Sequence, residues 1–205
     1  MKSSIFCLEG VCCVQVLFAQ KTAKGYYITS TNDTIKATIK LSNFTDEEGV
    51  EILDSNSTKL FNPSQIKGYG YNYKGKDFVF VSKPVNKFRN RFLQPDLQGR
   101  RISLYSRHYS TPDGNYYTPG FSAGPGMYSG TPARTVYYYT FEKTDGAVLF
   151  TDTDEKFINF KQRLMDFLSD SPKAKAEIEK RFASKPSYKK FHKELLEILD
   201  LYNNE

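Results

Sequence analysis

With 205 residues and 39% hydrophobic content, the chain is long enough for one domain with a real core, and 25% charged residues exclude global disorder. Its 16 Phe and 15 Tyr bring large buried areas and strand preference, while Trp is absent. The net charge of +6 is concentrated between Lys83 and Arg107, where Lys83, Lys87, Arg89, Arg91, Arg100, Arg101 and Arg107 face one acid, Asp96.

The N-terminus has the layout of a signal peptide. Lys2 precedes an apolar run from Ile5 to Phe18 that ends at Ala19-Gln20. Glu9 and Gln15 interrupt the run. The expected organisation is a signal peptide over 1–19, an antiparallel β domain over 20–152 and a helical segment over 153–205. The protein is then exported, to the periplasm, the outer-membrane region or the medium. The run is too short to span a membrane and no later stretch qualifies, so no transmembrane segment is expected. Cys7, Cys12 and Cys13 all lie inside it. Its removal leaves no disulfide framework, no thiolate nucleophile and no cysteine metal ligand.

Gly25–Ser30 and the alternating Thr34–Leu41 read as a hairpin around Thr31-Asn32-Asp33. Val50–Leu53 and Lys59–Phe61 are short strands. In Ile66–Tyr73, glycines alternate with tyrosines, which predicts a bent or bulged strand with close backbone approach. Asp77–Lys83 is a strong strand. Pro84–Gly99 breaks the pattern and is expected to hold a short helix or turn around Phe88–Leu93.

Arg101–Tyr109 and Thr135–Phe150 then form an aromatic pairing expected at the centre of the sheet. The Gly/Pro/Tyr-rich insert over 110–134 separates them. Asp145-Gly146 is the strongest hairpin signal in the chain. Thr135–Phe141 is apolar on both faces and should be covered on both.

After Asp152 the apolar period changes from two to about 3.6. Asp152 is expected to cap the first helix, with Glu155 three residues on. Ser171-Pro172 starts a second helix, and Lys185-Pro186-Ser187 separates it from a third. The stripes Phe157, Phe160, Leu164, Phe167, Leu168 and Tyr188, Phe191, Leu195, Ile198, Leu199, Tyr202 read as core packing. The fold class is α+β: a curved antiparallel sheet of about seven to nine strands, then three C-terminal helices.

Motifs that carry chemistry are few. His108 and His192 are far apart, and no HExxH or paired-histidine spacing occurs. Asp152-Thr153-Asp154-Glu155 lacks the glycine and spacing of a calcium loop. Gly68-Tyr69-Gly70 runs into strand rather than helix, and Gly124-Pro125-Gly126 puts proline where a phosphate loop needs an N–H. No cofactor, metal site or catalytic residue is expected. The candidate binding residues are Arg89, Arg91, Arg100, Arg101 and Arg107 in the basic segment, with Tyr116, Tyr117, Phe121 and Tyr128 in the insert. Cations beside tyrosines suit an anionic glycan or an envelope protein. Nucleic acid does not suit an exported chain.

Phe18–Gln20, Gly25–Ile39, Ser64–Tyr71, Arg91–Tyr105, Tyr137–Gly146 and the closing Leu201-Tyr202-Asn203 resemble a group of exported proteins of Bacteroidota-type bacteria whose function is unassigned. The resemblance covers most of the mature chain. It implies an envelope protein but supplies no catalytic residues. It also implies that Asp33-Thr34-Ile35 is a short O-glycosylation acceptor. The expected function is a non-enzymatic binding or structural module for a protein or glycan. The alternative is a hydrolase acting on an envelope polymer through Asp/Glu residues.

Overall fold

The computed structural model describes residues 21–41, 49–54, 57–110, 135–152 and 155–205. The ten strands are β1 (Thr22–Thr29), β2 (Thr34–Lys40), β3 (Val50–Asp54), β4 (Ser57–Phe61), β5 (Ile66–Tyr73), β6 (Lys76–Asn86), β7 (Arg89–Gln98), β8 (Ile102–Ser110), β9 (Thr135–Lys143) and β10 (Val148–Asp152). Three helices follow: α1 (Phe157–Phe167), α2 (Pro172–Arg181) and α3 (Tyr188–Asn203). The strands form one antiparallel sheet, ordered β10-β9-β8-β7-β6-β5-β1-β2-β3-β4, which does not close. This is the α+β class expected from the sequence. The signal-peptide reading and the insert over 110–134 lie outside the described residues, except for Ser110, which ends β8.

Alternating apolar residues and turn chemistry explain the local pairing. β1 and β2 pair across Thr31-Asn32-Asp33, with Asn32 at φ +73°, a left-handed position that asparagine tolerates. β9 and β10 are joined by Thr144-Asp145-Gly146, where the Lys143 N–H donates to the Ala147 carbonyl at 2.9 Å. β5 carries the expected bulge: its register against β1 shifts between Ile28 and Thr29, so that Lys67 is the extra residue. Beyond the bulge Ile66 joins Tyr69 in the same core. Tyr26 lies flat on Gly70, where an added Cβ would meet the ring at 2.7 Å.

The chain path forces the sheet to curl. β5 returns beside β1, although β4 lies three strands farther out. The five steps from Phe61 to Ile66 reach at most about 18 Å, whereas a flat sheet would hold β4 and β5 about 19 Å apart. The link also turns back, the Gln65 N–H donating to the Asn62 carbonyl at 3.0 Å. The strands therefore bend around their own core of Ile39, Val50, Ile52, Ile66, Tyr69, Phe80 and Phe92. Tyr69 stacks on Phe80 at 4.8 Å and meets Phe92 edge-on at 5.0 Å.

β7 is the corner of the molecule. Its first half, Arg89–Leu93, pairs with β6, and its second half, from Gln94 to Gln98, pairs with β8. Past the corner, β6 lies across β9: Thr140 Oγ1 donates to the Pro84 carbonyl at 2.5 Å, and Lys83 pairs with Glu142. Val85, Leu93 and Tyr105 fill the space between. On the opposite face of β8–β10, Ile102, Leu104, Tyr139, Phe141 and Leu149 pack against all three helices. β9 is covered on both faces, as its apolar pattern predicts. Ser171 caps α2, its Oγ accepting from the Ala174 N–H at 3.0 Å.

Three expectations need correction. Pro84–Gly99 is not a break: it completes the long β6 and β7, joined at Lys87-Phe88, and supplies a strand beyond those expected. Both prolines sit at irregularities, the register shifting between Pro84 and Asn86 and between Pro95 and Leu97, where a missing N–H does least harm. β8 and β9 are not the centre of the sheet but lie next to its β10 edge. Asp152 does not cap α1, whose N-cap is Lys156 without a side-chain bond. Asp152 instead accepts from the Glu155 N–H at 3.2 Å, and Glu155 accepts from Thr151 at 2.5 Å.

Candidate functional sites: a basic hairpin tip and an aromatic pocket

The fold distributes the basic segment over several places. At the β6–β7 turn, Lys87, Phe88 and Arg89 are all exposed, and Phe88 is 97% exposed. The Lys87 and Arg89 side chains make no hydrogen bond or ion pair among the described residues. The tip is held by the backbone, the Phe88 N–H donating to Asn86 Oδ1 at 2.9 Å. Two residues into β7, Arg91 is buried, with its guanidinium 4.6 Å over the Tyr138 ring. Arg107 leaves β8 where β8 has parted from β7. It lies 4.3 Å over Phe80 and donates to Tyr69 Oη at 3.3 Å and to the Phe92 carbonyl at 3.2 Å.

Arg100 and Arg101 serve the β7–β8 turn. Arg100 Nε donates to the Asn203 carbonyl at 2.8 Å. Arg101 donates to the Tyr202 carbonyl at 3.1 Å and to Asp170 at 2.7 Å, with its guanidinium 4.1 Å over the Tyr202 ring. The Asn203 side chain accepts from the N–H groups of Arg101 and Ile102, both at 2.9 Å, and donates to the Ile102 carbonyl at 3.1 Å. Gly99 is needed for this approach: a Cβ there would stand 2.0 Å from Asn203 Nδ2. Asp170 also accepts from Lys143 at 2.7 Å and Tyr202 at 2.6 Å. Desolvation pushes the Asp170 carboxyl up, but the hydrogen bonds from Lys143 and Tyr202 outweigh it and hold the group well below the usual carboxylate range. Of the expected site residues that are described, Arg100 and Arg101 come together at the end of α3, while Arg91 lies over Tyr138, the register partner of Arg107. Tyr116, Tyr117, Phe121 and Tyr128 lie outside the described residues.

A pocket of about 230 Å³ opens between β9, α1 and α3. Strand alternation points Tyr137 and Tyr139 at the helices. α1 contributes Phe157 and Phe160, and α3 contributes Tyr188 and Phe191. Tyr188 stacks on Tyr137 with centroids 3.4 Å apart, and Phe191 meets Phe160 edge-on at 5.5 Å. Burial pushes the Tyr139 hydroxyl well above its ordinary range, so it stays neutral. Thr151, Asp152 and Glu155 stand on the β10–α1 side, and Lys185 and Pro186 precede α3. Arg163 grips both Glu155 oxygens, at 2.9 and 3.0 Å.

Farther along the same face of β8 and β9, Ser106 donates to Asp96. Desolvation pushes the Asp96 carboxyl above its ordinary range, against the opposing pull of Ser106 and His192. Among the described residues, no cluster of His, Cys, Asp and Glu could hold a metal, and no helix is long and apolar enough to cross a membrane.

The pocket residues read in sequence as core stripes, and Asp96 as a lone acid in a basic run. The one signal for the pocket is that its facing positions are rings on all three elements. No protein-family model, curated protein or solved structure matches this chain.

Proposed function

We propose that the protein is a non-enzymatic binding module of the cell envelope, which meets an anionic glycan or the acidic face of an envelope protein through its β6–β7 tip. The observation that carries this reading is Phe88, 97% exposed between two exposed cations. A large apolar side chain left in water at the end of a two-residue turn adds nothing to the fold. Beside Lys87 and Arg89 it makes a contact point in which charge attracts and the ring buries. The export reading rests on the apolar run before Ala19, and the partner class on the charge.

The experiment is retention on envelope fractions across a salt series. The wild-type protein is expected to bind at low salt and to elute as salt screens the cations. Replacing Lys87, Phe88 and Arg89 together by Ser should abolish that retention. Retention unchanged at low salt would sink the proposal.

The second reading, a hydrolase acting on an envelope polymer through Asp/Glu residues, draws on Asp96. Its carboxyl is raised, accepts from Ser106 and feels the charge of His192. Polymer cleavage lost in Asp96→Asn would favour this reading over the first.

A further inference from the structure

The aromatic pocket lies on the helix-covered face of β9, apart from the basic tip, and its chemistry suits a different ligand. We propose that it binds a quaternary ammonium head group. Three features of the pocket lead there.

The first is the wall. Tyr137, Tyr139, Phe157, Phe160, Tyr188 and Phe191 surround the space. Aromatic faces carry negative charge density and attract cations most strongly where water is excluded. The second is the polar supply. Thr151 donates to Glu155, Glu155 is gripped by Arg163, and Asp152 holds the Glu155 N–H. These groups already serve one another, and the Tyr139 hydroxyl is the one buried polar side-chain atom of the lining without a hydrogen-bond partner among the described residues. A sugar needs many donors and acceptors and would leave some of its hydroxyls unmatched, at the cost of burying them. A quaternary ammonium group has no N–H and makes no such demand. The third is charge at the mouth. Asp152 and Glu155 stand on one side, while Lys185 is exposed on a flexible stem that keeps its ammonium in water. Arg163 already compensates Glu155, so the charge is that of Asp152, and a neutral group of the same shape would gain the burial but little from that carboxylate or from the ring faces.

The volume agrees. A pocket of about 230 Å³ is smaller than the roughly 300–1,000 Å³ of drug-sized sites. It takes one small head group, not a run of sugar rings.

The test is titration of the purified protein with choline and, separately, with 3,3-dimethyl-1-butanol, its uncharged isostere, followed by the NMR signals of the tyrosine rings. Choline should bind about tenfold more tightly than the isostere. Asp152→Asn, which keeps an oxygen for the Glu155 N–H, should weaken choline several-fold and leave the isostere unchanged. Tyr188→Ala should weaken both. Equal binding of the two compounds overturns the proposal and leaves an apolar pocket. Binding of neither overturns it too, as does choline binding that neither variant alters. Phosphatidylcholine vesicles, with phosphatidylglycerol vesicles as the control, separate the two sources of the head group. Retention on the former alone identifies a lipid, and binding of free choline without vesicle retention identifies a small molecule; either upholds the chemistry. The tip proposal is unaffected by these outcomes, because its own variant leaves the pocket intact.

Discussion

β7 begins and ends at a turn, and each turn carries two cations from the same basic segment. At the first turn, Lys87 and Arg89 are exposed, and their side chains make no hydrogen bond or ion pair among the described residues. At the second, Arg100 and Arg101 are drawn onto the end of α3, bonding the Asn203 and Tyr202 carbonyls and Asp170. The contrast follows from packing. α3 ends over the second turn, and the last carbonyls of a helix need donors. No described element covers the first. A run of positive charge in a sequence is therefore not yet a surface: cations next to a helix C-terminus become part of the fold, and those at an uncovered tip stay free to meet a partner.

The contrast can be broken most forcefully at the second turn. Asn203→Ala removes the group that satisfies two backbone N–H donors and one carbonyl, and should cost about 2–4 kcal/mol in urea unfolding. Gly99→Ala displaces the same side chain and should cost a similar amount. The double variant should lose clearly less than the sum, because both changes break one contact.

Arg101→Ser removes the bond to the Tyr202 carbonyl, the ion pair with Asp170 and the ring contact, and should cost about 1–2 kcal/mol. Its melting temperature should fall while the β6–β7 tip is untouched.

Asp170→Asn tests the electrostatic part. The Asp170 side chain is 47% exposed, so solvent screening limits the effect to about 1 kcal/mol. Its folded carboxyl titrates well below the unfolded value near 3.9. The stabilisation is therefore fully present above about pH 4 and is lost as pH falls through the folded value. Wild type and variant should differ in thermal unfolding at pH 7, and the gap should narrow steadily in acid. A gap that persists unchanged at low pH would remove the charge argument.

The smallest effect on stability is expected at the first turn. Replacing Lys87, Phe88 and Arg89 by Ser should change stability by less than about 0.5 kcal/mol, since none of their side chains is packed.

How far the sequence discloses this fold depends on whether a signal is local. Alternation in Thr34–Lys40, the Asp145-Gly146 turn and the 3.6-residue stripes of α1 and α3 are local signals, and each element forms where it should. The glycine–tyrosine alternation of β5 announced its bulge and the close approach of Tyr26 to Gly70. Pro84 and Pro95 mask the end of β6 and the whole of β7, because proline argues against strand unless a register shift accommodates it, and register is decided by the partner strand. The return of β5 beside β1 is likewise a long-range choice. The candidate sites were less legible. The sequence shows the charge of Arg89, but its exposure is a property of the tip. The cations of Arg91 and Arg107 gave no hint that they would lie over Tyr138 and Phe80. The pocket is a gap among residues that all look like core, and the rings at its facing positions are its one trace in the sequence.

The most direct measurement compares the two turns in one experiment. Lys87→Ser/Arg89→Ser and Arg100→Ser/Arg101→Ser remove equal charge from the same segment. For each, melting temperature and low-salt retention on envelope fractions are read on the same preparation. The first pair is expected to lose retention with melting unchanged, and the second to melt lower while its folded fraction is retained like wild type. Equal loss of retention in both pairs would make charge alone the determinant and contradict the division between the two turns.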